Sequence, residues 1–174
     1  LIDLSLTVAY ESKVNYGDIF SQVRVWDTLI TNHLMKKNIC VPPREEHIKE
    51  TKYEGAYVKE PQLGQHKWVV SFDINSLYPH IIIQYNISPE KIIGESSHGV
   101  NVNKMIDMKV PLNYLKTEGA CLTPNGAKFR NDSQGFLPEM MEKMYNERVV
   151  FKQRMLKAKA EYQKTKDPKL VKEI

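Results

Sequence analysis

The sequence predicts an α+β fold on three observations: apolar residues at helical spacing near the start, a β-branched and aromatic run that ends at Asp73, and a last stretch without glycine or proline from Glu139 to Asp167. A chain of 174 residues can bury one ordinary core or hold pieces of two subdomains.

Leu1, Ile2, Leu4, Leu6 and Val8 mark a short apolar helix, or the tail of one, ending near Asn15-Tyr16-Gly17. Val23, Trp26, Leu29, Ile30, His33 and Leu34 recur at spacings of three and four, and Lys36, Lys37 and Asn38 supply the cations and stop that suit a helix C-terminus. These two helices read as packing elements. Pro42-Pro43 breaks regular structure and the solvated Arg44, Glu45, Glu46 and His47 follow, so a boundary is expected there. From Tyr53 to Asn75 the pattern is β-like, interrupted by Pro61 and Gly64, and Val69 to Phe72 form the strand leading to Asp73. Ser76 to Asn86 has helical composition, with Pro79 tolerable in a first turn. Between Ser88 and Asp132 the sequence is turn-rich, notably at Pro124-Asn125-Gly126, with one apolar cluster at Met108, Val110, Leu112 and Leu115; it predicts no defined elements. Pro138 suits a first helical turn, Glu139 and Glu142 favour the positive end of a helix, and that helix runs for about seven turns. Arg148 and Lys152, four apart, share one of its faces.

A net charge of +4 is compatible with nucleic acid but is far from a composition that binds by phosphate contacts alone. Cys40 and Cys121 lack the spacing of a zinc site or a disulfide framework, and His33, His47, His66 and His98 lack ligand spacing. No apolar stretch approaches a membrane span and residues 1–20 lack a secretory-signal pattern, so no membrane partner is expected. The start at Leu1, without methionine, leads to the expectation of a segment of a longer product.

Asp73 is where the chemistry concentrates. A carboxylate on a strand edge beside a helix N-terminus offers a hard oxygen to magnesium and unpaired N–H groups to phosphate, so one corner could hold both an ion and the triphosphate it accompanies. The residues alone leave plainer readings open. Asp73 could be a turn residue, Ser76 a helix cap, Tyr78 a semi-buried aromatic, and Arg148 with Lys152 a solvated helix face.

Asp73-Ile74-Asn75-Ser76-Leu77-Tyr78-Pro79 closely resembles the D-x-x-S-L-Y-P motif, motif A, of family B DNA-directed DNA polymerases. The continuation Ile81-Ile82 and Asn86-Ile87-Ser88-Pro89-Glu90 is similar to the replicative enzymes of tailed bacteriophages. Two further blocks keep the family's order: Tyr53-Glu54-Gly55-Ala56-Tyr57-Val58-Lys59-Glu60-Pro61 resembles the Y-x-G-G/A segment before motif A, and Gly135-Phe136-Leu137-Pro138 with Asn146-Glu147-Arg148 and Lys152 resembles the start of the fingers helices. The resemblance covers essentially the whole chain.

It implies template-directed transfer of a deoxynucleotide to a primer 3′-end at a centre of two Mg²⁺ ions. Asp73 is then the catalytic metal ligand, with the Ile74 carbonyl near an ion. Backbone amides of Ser76, Leu77 and Tyr78 hold the triphosphate, and the Tyr78 ring leaves no volume for a 2′-hydroxyl. Arg148 and Lys152 bind the triphosphate from the fingers, and Tyr53, Gly55 and Ala56 contact the template strand. By the same resemblance residues 1–44 are a helical segment of the N-terminal domain following the exonuclease, 45–134 the palm with its antiparallel sheet and helices, and 135–174 the first fingers helix. The implied partners are primer–template DNA, dNTP, and a sliding clamp and other replisome proteins reached through regions absent here, in the cytoplasm of an infected host cell.

The sequence also departs from the family. The K-x-x-x-N-S-x-Y-G and D-T-D motifs, which contribute a triphosphate-binding lysine and the second metal-binding aspartate, do not occur, and His80 stands where serine is usual. The isolated segment is therefore expected to be inactive. The alternative is a non-catalytic nucleotide- or DNA-binding piece of a split or truncated polymerase; a nuclease is disfavoured because its two-metal site needs several carboxylates.

Overall fold

In the computed structural model, which describes residues 1–43, 58–96 and 99–166, the apolar stripe of the first forty residues becomes two helices, α1 (Ile2–Ser12) and α2 (Gln22–Lys36). Lys13, in the left-handed conformation, ends α1. A 3₁₀ turn at Tyr16–Phe20 leads to Ser21, whose hydroxyl accepts from the Arg24 N–H at 3.5 Å and opens α2. Arg24 pairs with Asp18 at 2.9 Å, tying the turn to the helix. Ala9 and Leu34 are the buried apolar residues of this part, whereas Leu1, Ile2, Leu4 and Tyr10 are exposed. The chain divides into two units, Leu1–Trp68 and Val69–Ile174.

The strand expected at Val69 to Phe72 does not form: these residues have no regular secondary structure, and Phe72 is 90% exposed. β-Propensity describes a fit to a pleated, partly covered surface, and a strand needs a neighbour for its N–H and C=O groups. Among the described residues the pairing is confined to three other segments, so this apolar run has no partner.

Those segments lie in the turn-rich stretch for which the sequence predicts no defined elements. β1 (Ile92–Glu95), β2 (Ala120–Leu122) and β3 (Ala127–Arg130) form an antiparallel sheet in the order β1-β3-β2. Phe129 sits opposite both Ile92 and Cys121. The β2–β3 connection is the Pro124-Asn125-Gly126 turn, held by the Thr123 hydroxyl donating to the Ala127 carbonyl at 2.8 Å. Gly126 has φ +94, a conformation that favours glycine. Two short helices, α4 (Val102–Ile106) and α5 (Asn113–Glu118), link β1 to β2. Met108 and Leu112 are exposed, so the apolar cluster around them is not a core.

The helices that matter for the site are α3 (Leu77–Gln84) and α6 (Phe136–Thr165), which pack together. With 30 residues α6 makes roughly eight turns, one more than the sequence predicts. Among the described residues of this unit the buried apolar side chains are Leu122, Phe129, Pro138, Met140 and Ala158.

Candidate functional site

The corner at Asp73 is open. Asp73 is exposed, Ile74 is 66% exposed and Tyr78 77% exposed, which removes the semi-buried reading of Tyr78. Ser76 occupies the N-cap position of α3, yet its side chain makes no cap hydrogen bond, because its backbone is left-handed (φ 53, ψ 45) instead of the extended form a capping serine uses. The side-chain cap is thus corrected. The Ser76 carbonyl accepts from the His80 N–H at 3.2 Å and from His80 Nδ1 at 2.9 Å, fixing the Nδ1–H tautomer in this arrangement. The departure to histidine accordingly has a local role: its ring closes the first turn.

The positive end of α3 is left unanswered. No acidic residue stands in its first turn, Pro79 has no N–H, and the Leu77 and Tyr78 amides have no acceptor among the described residues. Two free amides on an exposed helix start, beside a left-handed residue and an exposed carboxylate, form a place where an oxyanion and a hard cation can meet.

α6 brings the basic pair alongside. The His80 and Tyr145 rings meet edge to face at 4.7 Å between centroids, fixing where α3 crosses α6. Arg148 and Lys152 lie one and two turns beyond Tyr145, roughly 4.5 and 10 Å along the axis at about 1.5 Å per residue. Both are exposed and neither joins an ion pair among the described residues. Nearby charges are otherwise engaged: Lys143 approaches Glu147 at 4.0 Å, and Arg154 lies over the Phe151 ring at 5.8 Å.

A buried polar cluster at the base of α6 is absent from the sequence reading. Asn86 Nδ2 donates to the Arg130 and Ser133 carbonyls at 2.6 and 2.9 Å, and Asn86 Oδ1 accepts from the Gly135 N–H at 2.8 Å. Glu90 Oε1 accepts from the Phe136 N–H at 2.8 Å, while its other oxygen accepts from Ser88 Oγ at 2.6 Å. Lys91 Nζ donates to Asp132 Oδ1 at 2.8 Å and Ser133 Oγ at 2.6 Å. The Lys91 hydrogen bond is the main cause holding the Asp132 carboxyl below its ordinary range. Asn86, Ser88 and Lys91 are buried. No periodic signal marks this cluster in the sequence: Asn86 is left-handed (φ 53), Ser88 is extended and Glu90 lies in a 3₁₀ turn at Pro89–Lys91, so the three side chains converge through irregular backbone.

As for metal, the described residues hold no group of three or more histidine, cysteine, aspartate or glutamate side chains suited to an ion. Asp73 and the Ile74 carbonyl are hard donors of the right kind, but they do not by themselves make a two-ion ligand set. Tyr53, Gly55 and Ala56, like His47 and His98, lie outside the described residues.

A family model described as DNA polymerase family B matches residues 15–167. The chain is 36% identical over 157 residues to the DNA-directed DNA polymerase of Escherichia phage RB69, covering 90% of this chain and 17% of that protein. It is 33% identical over 155 residues to the corresponding enzyme of Enterobacteria phage T4, covering 88% of this chain and again 17% of the relative. DNA polymerase 1 of Pyrococcus abyssi is 33% identical over 115 residues, 66% of this chain and 12% of that protein. The chain therefore spans about a sixth of the length of the two phage relatives.

Proposed function

The chain belongs to DNA polymerase family B, and from that premise we propose that it is the palm–fingers junction of a replicative phage-type polymerase, where the incoming dNTP is held against a primer 3′-end. The observation that carries the reading is the packing of α3 on α6, which puts the uncapped start of the Asp73 helix beside the helix bearing Arg148 and Lys152. Two positive surfaces on adjoining helices suit a triphosphate better than either does alone.

In this reading the Leu77 and Tyr78 amides, with that of Ser76, take phosphate oxygens at the positive end of α3. Arg148 grips the triphosphate with a planar fork and Lys152 adds a point charge. The Tyr78 ring stands under the sugar and rejects a 2′-hydroxyl by overlap. Asp73 and the Ile74 carbonyl contribute donors to divalent ions, Mg²⁺ in the first instance. When bound, such ions lower the pKa of an attacking hydroxyl and neutralise a leaving pyrophosphate. In this reading the second metal-binding aspartate is that of the family's D-T-D motif, which does not occur in this sequence.

The same reading assigns residues 1–44 to the N-terminal domain after the exonuclease, 45–134 to the palm and 135–174 to the fingers. Tyr53, Gly55 and Ala56 contact template DNA, and the parent protein works on primer–template DNA with a clamp and replisome partners in the infected cell's cytoplasm.

Two substitutions in the full-length polymerase test it. Asp73→Asn is expected to reduce primer extension by at least about a hundredfold, the scale on which losing one preorganised electrostatic group acts, with primer–template affinity retained. Tyr78→Ala is expected to raise ribonucleotide incorporation far more than it slows deoxynucleotide incorporation. Wild-type extension by Asp73→Asn would overturn the proposal, and equal effects on both sugars would remove Tyr78 from the gate.

A further inference from the structure

Gly135 holds the N-cap position of α6 and has no side chain with which to cap it. Its backbone is ordinary (φ −74, ψ 161), so glycine is not required there for conformational freedom. It is required for space: a Cβ at this position would stand 2.6 Å from Ser88 Cβ, 3.0 Å from Ser88 Oγ and 3.1 Å from Glu90 Oε1. The missing cap arrives from another segment. Glu90 takes the Phe136 N–H, Asn86 takes the Gly135 N–H, and Ser88 Oγ lies 3.4 Å from the Leu137 nitrogen while it orients Glu90. A carboxylate thus sits on the positive end of α6, donated by the stretch that follows α3 directly.

We infer that Asn86, Ser88 and Glu90 are positioning residues for nucleotide binding: they set the axial position and rotation of α6 and so aim Arg148 and Lys152. The inference rests on the proposed role of those two residues. An edge-to-face ring pair such as His80 with Tyr145 fixes where two helices cross but leaves one of them free to slide or turn. Three directional hydrogen bonds to consecutive amides remove that freedom. Because α6 is uninterrupted from Phe136 to Thr165, a slide at its base reaches Arg148, roughly 20 Å away, undiminished. Ordinary carbon contacts begin near 3.5 Å, so a methyl at Gly135 demands a shift of about 1 Å, and misplacement on that scale can cost on the order of a hundredfold where charged groups must meet a reacting substrate.

The test uses the full-length polymerase with Gly135→Ala, Ser88→Gly, their combination, Glu90→Ala and Glu90→Gln, and with Arg148→Ala as the reference. Pre-steady-state titration gives the dNTP Kd, and primer–template Kd and Tm are measured in parallel. Gly135→Ala is expected to raise the dNTP Kd about tenfold or more while primer–template Kd moves less than about twofold. Adding Ser88→Gly removes the colliding carbon and should return the dNTP Kd to that of Ser88→Gly alone. Glu90→Ala should behave like Gly135→Ala, and Glu90→Gln, which keeps an acceptor for Phe136, should recover most of the loss; this pair decides the matter if Gly135→Ala does not fold. A lowered Tm with wild-type dNTP Kd in both Gly135→Ala and Glu90→Ala makes the cluster purely structural and overturns the inference, provided Arg148→Ala weakens dNTP binding. If Arg148→Ala leaves the dNTP Kd unchanged, the underlying reading has failed and the inference falls with it.

Discussion

Two helices of one unit begin in opposite ways. The start of α6 is closed: Glu90, Ser88 and Asn86 meet its first amides, and its first turn carries an acidic residue. The start of α3 is open: no side chain caps it, no acid stands in its first turn, and the residue before it is held left-handed. Both termini carry the same partial positive charge, so the difference lies in what answers it. At α6 the protein answers it internally, which orients a helix. At α3 it is left unanswered beside the exposed Asp73, with Ser76 held left-handed at some cost in local strain, and the proposed function places a phosphate there.

The largest expected effect bears on the open end. The isolated 174-residue chain should show no template-dependent primer extension, because Asp73 without further carboxylates does not hold two ions against their mutual repulsion. Incorporation by the purified chain, with contaminating polymerase excluded, breaks this side of the comparison.

A smaller effect sharpens the closed end. Hydrogen exchange on the full-length enzyme should find Gly135 and Phe136 amides strongly protected and Leu77 and Tyr78 amides fast until nucleotide is added. Asn86→Ala strands the Arg130 and Ser133 carbonyls and the Gly135 N–H, a loss of about 2 to 4 kcal/mol. Protection at Gly135 should accordingly fall by roughly thirty- to a thousandfold. Equal protection at both helix starts in the absence of nucleotide contradicts the contrast drawn between them.

The smallest effect concerns Asp132. Its carboxyl is held below the usual range chiefly by the Lys91 hydrogen bond. A depressed folded-state pKa contributes stability above the unfolded-state pKa that is lost as pH falls through the folded value. The wild-type advantage over Asp132→Asn in urea midpoint should therefore be present at pH 7 and vanish below the ordinary carboxylate range. A difference that persists unchanged at low pH excludes this linkage. Because Asp132 is well exposed, the effect is expected to be slight.

How much of this was legible in the sequence depends on whether local or distant groups do the work. The helices were readable because each carries its own period and end signals: Val23 to Leu34 for α2, and Pro138 with the uninterrupted run after it for α6. The sheet was not, since β1, β2 and β3 are three or four residues long and owe their existence to each other. Val69 to Phe72 erred in the opposite direction, with strand composition but no partner among the described residues. At the site, the proposed roles of Asp73 and of the Arg148–Lys152 pair came from the resemblance to family B polymerases, since residue types and spacing alone fit a turn residue and a solvated helix face equally well. The cap on α6 was hidden, because Glu90 and Phe136 lie far apart in sequence and a glycine at an N-cap gives no hint of where its cap comes from.

The most direct measurement of the central claim is a pre-steady-state dNTP titration of Arg148→Ala and Lys152→Ala in the full-length polymerase. Charge-assisted phosphate contacts are worth about 1.5 to 3 kcal/mol, so each variant should lose roughly ten- to a hundredfold in kcat/KM for dNTP while primer–template affinity stays near wild type. Arg148→Lys should recover only part of the loss, since an ammonium cannot reproduce the guanidinium fork. Unchanged nucleotide dependence in both alanine variants would contradict the account and leave that face of α6 as solvated surface.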